Sequence, residues 1–313
     1  MTKIALMKTT LEIILPAQNE HGNIIPIYNE IKEALAITEY DYFILFVDDG
    51  SKDETLSQIK DLAKEDHKVK YIELSRNFGH QNAIKAGLDA SDADVIIMMD
   101  CDLQHPPSLI NELLKHYELG YDIVRTNRAE NDTSSYFKRK TSNIFYKFLN
   151  KLSDITLEQG SADFRLISGN AIQQLKSFNE FDLFYRGLIK WMGFKQISIE
   201  YNPAERIHGQ TKYTYRKMLS FGLKGFTSFS VKPLYFAAYL GLIFSFLSIM
   251  YIPYIFYALY TNKHVEGWPS VIATVAFFGG LNLMILGIIG IYISKLFVQS
   301  KNRPHYIIKE SNL

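Results

Sequence analysis

The chain has 313 residues, and its 34 Lys and Arg against 33 Asp and Glu leave a formal net charge of +1. That balance argues against general nucleic-acid binding, and the length allows one large domain plus an appendage. A single cysteine rules out a disulfide framework and fits a reducing compartment.

In chain order, residues 1–10 are short, carry no signal-peptide pattern and lead into an apolar strand at residues 11–15. That strand ends in Pro16-Ala17-Gln18-Asn19-Glu20, and a helical pattern follows over about residues 23–37. A second apolar strand, 43–47, runs into Asp48-Asp49-Gly50-Ser51-Lys52-Asp53, and a third, 95–99, into Asp100-Cys101-Asp102-Leu103-Gln104-His105-Pro106-Pro107. Continuous apolar strands alternating with helices predict an α/β domain with a parallel sheet covered on both faces. Such sheets bind ligands beyond the carboxyl ends of their strands. No G-x-G-x-x-G and no G-x-x-x-x-G-K-[ST] is present, so the usual dinucleotide and P-loop cradles are absent.

Strand alternation would send Asp100 and Asp102 to one side, and the proline pair would stop the strand and start a helix. Two carboxylates so placed suit a hard cation such as Mg2+ or Mn2+, although a solvated strand end has the same pattern. Cys101 between them reads as a buried packing residue, having no second thiol to pair with.

The C-terminal third is different. Residues 136–152 and 213–231 mix aromatic and aliphatic residues with Lys and Arg. The second stretch reads as interfacial helix, and the first either as a surface helix on the core or as a helix docking the site on a bilayer. Residues 233–260 and 270–294 are nearly uncharged, each longer than the roughly 20 residues that span about 30 Å of hydrocarbon. Lys212, Arg216, Lys217, Lys224 and Lys232 precede the first span; Lys295, Lys301, Arg303 and Lys309 follow the second. The positive-inside rule then predicts two spans with both termini cytoplasmic. Gly279, Gly280, Gly287 and Gly290 offer small faces for helix packing or a homo-oligomer.

Pro16 to Glu20, Asp48-Asp49-Gly50-Ser51, Ser75-Arg76-Asn77-Phe78-Gly79-His80, Asp100 to Pro107, Ser161-Ala162-Asp163-Phe164-Arg165-Leu166 and Arg206-Ile207-His208-Gly209-Gln210-Thr211-Lys212-Tyr213 follow one another in order. Together they resemble the family 2 glycosyltransferases that load a sugar onto polyprenyl phosphate, such as dolichyl-phosphate mannose synthase and bactoprenol glucosyltransferases. His105 departs from the pattern, which often has Asp there. The resemblance covers essentially the whole chain.

It implies a GT-A type nucleotide-sugar domain with a mostly parallel sheet over residues 1–210. Interfacial helices at 211–232, a transmembrane hairpin at 233–298 and a cytoplasmic tail at 299–313 would follow. It implies transfer of one hexose, glucose or N-acetylglucosamine, from a UDP-sugar to undecaprenyl phosphate at the cytoplasmic face of the cell membrane, with a separate flippase. In this reading Asp49 and Glu20 accept hydrogen bonds from uracil and ribose, with Asp48 beside them, Pro16 and Ala17 framing the base and Cys101 at the same pocket. Asp102, helped by Asp100, would bind Mg2+ or Mn2+, and Gln104 would lie near the donor sugar. Arg125, Arg128, Arg139, Arg165, Arg206 and Lys212 would meet acceptor phosphate, a role that suits the guanidinium fork. Asp163 would be an acceptor-side base or would orient Arg165. The alternatives are a processive polysaccharide synthase and a non-catalytic membrane adaptor. Tyr185-Arg186-Gly187-Leu188-Ile189-Lys190-Trp191 lacks the Q-x-x-R-W block of the processive enzymes.

Overall fold

The structure is a computed structural model that describes residues 9–129, 161–181, 183–202, 231–261 and 267–313. The expected strands form as β1 (Thr10–Ala17), β2 (Asp41–Asp48) and β4 (Val95–Met98). They join β3 (Val69–Leu74), β5 (Ile123–Arg128), β6 (Ser161–Ser168), β7 (Gln196–Tyr201) and β8 (Ile308–Ser311) in one sheet, ordered β7-β5-β6-β4-β1-β2-β3-β8. The pairs β1–β2, β1–β4, β2–β3 and β5–β7 are parallel; β6 and β8 run antiparallel to their neighbours. From β1 the chain winds outward through β2 and β3, then crosses back to place β4 on the other side. The strand order therefore reverses at β1 and β4, where a ligand crevice opens in doubly wound sheets.

Both faces of β1 are covered, which explains its unbroken apolar run: Leu11, Ile13, Ile14 and Leu15 are fully buried. Helices α1 (His21–Leu35), α2 (Thr55–Glu65), α3 (His80–Ala90), α4 (Ile110–Glu118), α5 (Gly169–Ser177) and α6 (Tyr185–Trp191) belong to the same sheet-bearing unit. The proline pair opens a short 3-10 turn, Pro107–Leu109, that leads into α4.

The chain divides into two compact units. The second contains α7 (Lys232–Tyr260) and α8 (Trp268–Ser300), whose limits follow the two uncharged runs. Phe244 of α7 meets Phe277 and Phe278 of α8 edge-on, with ring centroids 5.6 Å apart. Among the described residues one stretch, Phe277–Ser300, is long and apolar enough to cross a membrane, and Leu234–Phe244 is a shorter apolar stretch. Two spans are thus not both established. The final residues are not a separate tail: Pro304–Leu313 belongs to the sheet-bearing unit, where β8 closes the β3 edge. The expected amphipathic helices at 136–152 and 213–231 fall outside the described residues.

Gly87 lets α3 lie directly on the sheet, since a Cβ there would meet Ile14 Cγ2 at 2.5 Å and Val47 Cγ2 at 3.3 Å. Alanine would gain roughly 0.5–1 kcal/mol of helix propensity, but overpacking a close-packed interior costs about 1–3 kcal/mol. The clash wins, so Gly87→Ala is expected to lower stability by about 1–2 kcal/mol in a denaturant titration. Unchanged stability would contradict the close approach.

Candidate active site

Loops at the carboxyl ends of β1, β2 and β3 line one cleft, and the turn after β4 meets the start of α3, where His80 Nε2 lies 3.5 Å from Asp100 Oδ1. After β4 the backbone turns at once, with Leu103 at φ 59°, so the two carboxylates come from a turn and not from an extended strand. Alternation survives in burial: Cys101, Leu103 and His105 face inward, while Asp100, Asp102 and Gln104 are half-buried. Cys101, 1 % exposed, points its thiol at the Pro16 carbonyl 3.4 Å away, so its side chain packs and is not a nucleotide contact. Burial pushes that thiol well above its usual range.

His105 is fully buried, stacked on Phe164 at 5.5 Å and edge-on to Tyr201 at 6.0 Å. Its Nδ1 accepts the Asp100 N–H at 3.2 Å, which identifies a neutral ring and agrees with burial lowering its pKa. A neutral imidazole thus props the acidic turn from beneath. Asp102 Oδ1 accepts the Gln104 N–H at 3.2 Å, and Arg128 bridges Gln104 Oε1 and the Tyr201 hydroxyl, both at 3.2 Å.

The Asp48 and Asp49 carboxylates take different partners. Asp49 is 3 % exposed and spends both oxygens on the next loop, accepting Phe78 N–H at 2.6 Å and Gly79 N–H at 2.9 Å. It clamps that loop to the end of β2. Gly50, at φ 66°, makes the close approach feasible, since a Cβ would lie 2.6 Å from the Arg76 and Asn77 backbone. Asp48 instead lines a cleft of about 580 Å³ with Gln18, Ser51, Ser75, Arg76 and Lys309. Its Oδ2 accepts the Ser51 N–H at 3.1 Å, while Oδ1 is buried without a hydrogen-bond partner. Burial pushes its carboxyl up. Glu20 accepts the Asn23 side-chain amide at 2.6 Å, and Pro16 and Ala17 close the end of β1, where the Ala17 carbonyl accepts the Asp49 N–H at 2.9 Å. None of Glu20, Asp48 and Asp49 caps a helix through its side chain.

On the far side of the acidic turn, Asp163 gathers three cationic groups. Arg165 Nη2 donates to its Oδ1 at 2.6 Å, and Arg186 binds both oxygens, Nε to Oδ1 at 3.0 Å and Nη2 to Oδ2 at 2.9 Å. His80 Nε2 lies 3.8 Å from Asp163 Oδ2 and 3.5 Å from Asp100 Oδ1. Burial disfavours the Asp163 charge, but Arg186, His80 and Arg165 outweigh it and hold the carboxyl well below its ordinary range. The carboxylate is thus held ionised between the guanidinium groups of Arg165 and Arg186. His80 is itself pushed up to about 9, because the Asp163 and Asp100 carboxylates outweigh its desolvation.

Arg165 is fully buried, and one of its amino groups bonds the Ala162 carbonyl at 2.8 Å as well as Asp163. It therefore does not reach an acceptor phosphate, contrary to expectation, and Arg125, 8 % exposed, sits opposite it on β5. Arg128 is exposed at the crevice, and Arg186, one-third exposed, is a cation that the sequence reading passed over. Arg139, Arg206 and Lys212 lie outside the described residues. His80, Arg186 and the supporting role of His105 were also missed. His80 stood within a quoted motif, so an imidazole at a helix start beside two acidic turns was the available signal.

The sequence matches the model of Glycosyl transferase family 2 over residues 12–180. The chain belongs to that family. It is 41 % identical over 304 residues to the putative glycosyltransferase CsbB of Bacillus subtilis (strain 168), covering 97 % of this chain and 92 % of that one. It is 37 % identical over 303 residues to the bactoprenol glucosyl transferase of Shigella phage SfII, covering 96 % of this chain and 98 % of the relative. The mannosyltransferase PcManGT of Pyrobaculum calidifontis, solved with GDP-Man and Mn2+, superposes with a TM-score of 0.47 at 17 % identity, over 68 % of this chain and 60 % of that one. As a family 2 glycosyltransferase with a GT-A-like α/β fold, the chain is a transferase.

If Asp163 orients its neighbours, Asp163→Asn removes the charge that pairs the buried Arg165 guanidinium. Breaking a buried pair costs about 3–5 kcal/mol, so the variant should show a large loss of thermal stability alongside lost activity. Lost activity with unaltered stability would restore the base role.

Proposed function

We propose that this chain transfers one hexose, glucose in the first instance, from a UDP-sugar to undecaprenyl phosphate at the cytoplasmic membrane face, inverting the anomeric centre. The observation that carries the reading is the 37 % identity over 98 % of a bactoprenol glucosyl transferase, a similarity that runs through the catalytic unit and the two apolar helices alike. Neither relative named above favours a processive synthase or an adaptor.

The lipid phosphate is ionised at neutral pH, so its oxygen attacks without a strong base. The new carbon–oxygen bond forms as the bond to the nucleoside diphosphate breaks, and positioning and charge screening carry most of the rate. This agrees with an Asp163 that holds no proton. On the acceptor side Arg128 is exposed and Arg186 is one-third exposed and paired with Asp163, with Arg206, Lys212 and Arg139 proposed from the sequence. Asp48 Oδ1, buried and uncommitted in the cleft, suits the imide N–H of uracil better than Asp49 does.

Asp100 and Asp102 fit a divalent cation. Both are half-buried oxygen donors on one turn, and Mg2+ characteristically takes one or two carboxylates and leaves its remaining positions to phosphate and water. The described residues form no cluster of three or more His, Cys, Asp or Glu able to hold a metal by itself, consistent with a site completed by the donor diphosphate. When bound, Mg2+ or Mn2+ would neutralise charge on the departing nucleotide.

The return of the chain to the sheet supports two crossings. β8 pairs with β3 of the catalytic unit, so an even number of crossings must separate Tyr201 from Ile308, and Phe277–Ser300 already provides one candidate. With basic residues flanking both helices, the termini would be cytoplasmic. A flippase and self-association would be separate matters from transfer.

Membranes containing the chain, given labelled UDP-glucose and undecaprenyl phosphate, should yield acceptor-dependent, lipid-extractable label. A water-soluble polymer instead, or no preference among a panel of UDP-, GDP- and CDP-sugars, would defeat the assignment. Chelation with EDTA, and separately Asp102→Ala, should each cut turnover by at least about a hundredfold, in line with several kcal/mol of metal assistance. A Cys at position 262 should react with an impermeant reagent from outside intact cells, while a reporter after Leu313 stays inside.

A further inference from the structure

Near the end of the chain, Lys309 lines the cleft. The path to it begins at Tyr306, whose hydroxyl donates to Asp89 Oδ2 at 3.0 Å, and the Ile307 carbonyl accepts the Ser75 N–H at 2.9 Å. β8 then runs antiparallel to β3, pairing Leu74 with Ile308 and Glu73 with Glu310. Lys309 is the unpaired extra residue between them, and such a bulge re-aims a side chain out of the ladder's regular register. Here it brings Lys309 to the cleft lined by Asp48, Ser75 and Arg76.

Lys309 is fixed there at its far end. Its ammonium donates to Glu73 Oε1 at 2.5 Å, and the other oxygen of Glu73 accepts Lys60 at 3.1 Å. Lys60 also bonds Glu310 at 2.8 Å, and the Tyr71 hydroxyl donates to Glu310 Oε1 at 2.6 Å. The strand is pinned a second time by Asn312, whose side-chain oxygen accepts the Tyr71 N–H at 2.6 Å. The Lys309 side chain is nonetheless 63 % exposed, leaving its remaining donors open to a ligand. The same cleft therefore offers a buried acceptor without a partner, Asp48 Oδ1, and a tethered donor, Lys309 Nζ.

We propose that Lys309 is a donor-nucleotide contact that meets a carbonyl oxygen of the base at the Asp48 end of the cleft, away from the Asp100–Asp102 turn. Uracil presents this pair of groups, an imide N–H for the acceptor and a flanking carbonyl for the ammonium; cytosine keeps one flanking carbonyl but has an unprotonated ring nitrogen in place of the imide N–H and an amino group in place of the other carbonyl. The proposal rests on the reading of the donor as a nucleotide-sugar. It deepens that reading by making base recognition depend on a residue that follows both apolar helices.

The test uses the full-length protein in detergent and measures UDP and uridine binding by calorimetry, together with KM and kcat for UDP-glucose. Lys309→Met should weaken UDP and uridine in parallel by about tenfold and raise KM to match, with kcat changed less than about twofold, as expected for a lost charge-assisted hydrogen bond at a partly exposed position. Lys309→Arg should recover most of the loss. Lys64→Met, at an exposed lysine of α2 that pairs with Asp61, removes a positive charge away from the cleft and should leave binding within about twofold. Unchanged binding in Lys309→Met overturns the proposal, as does an equal loss in Lys64→Met, which would reduce the effect to net charge. Weaker UDP with unaltered uridine would also overturn it, by assigning the lysine to phosphate. Because binding is read without transfer, failure of the chain to glycosylate the lipid would count against the proposed function and not against Lys309.

Discussion

The crevice depends on one buried carboxylate. Asp163 sits on β6, yet it fixes Arg186 at the start of α6, Arg165 on its own strand and His80 at the start of α3, and through His80 it reaches Asp100. Burying that many charges is costly unless each is paired, and removing one partner leaves the rest uncompensated. The arrangement ties three elements into one rigid wall. It also explains why Asp163 is held ionised: a proton there would release three cations at once.

The opposite wall is tied differently, by backbone. Asp49 accepts two N–H groups of the β3–α3 loop, and Gly50 admits that loop to within contact of β2. Asp48, one residue earlier, is thereby left facing the cleft. Two adjacent carboxylates thus divide their labour by the direction each side chain takes at the end of a buried strand, one holding the site together and the other lining it.

The sequence made the strands β1, β2 and β4 legible because each is a continuous apolar run stopped by polar turns, and the position of the acidic turns followed directly. It did not separate Asp48 from Asp49, because that depends on which oxygen meets Phe78 and Gly79, residues 29 and 30 positions away. Arg165 looked like a phosphate ligand because an arginine in a motif carries no sign of its burial. His105 looked like a departure from the expected pattern and proved to be the support of the turn, a role set by Phe164 and Tyr201 from distant strands. β8 was invisible for another reason: four exposed residues with two charges give no strand signal until a partner edge is available.

That last strand bears on how the molecule is made. The sheet's β3 edge has no partner until Ile308–Ser311 has been synthesised, roughly 230 residues after Leu74. At about 5–20 residues per second, the nascent catalytic unit carries an open strand edge for on the order of 10–50 s, during which the two apolar helices must also leave the ribosome. An unpaired edge is a template for wrong pairing. Lys70 and Glu73, charged residues within β3 itself, are the gatekeepers available during that interval, and chain completion then caps the edge with a strand of the same polypeptide.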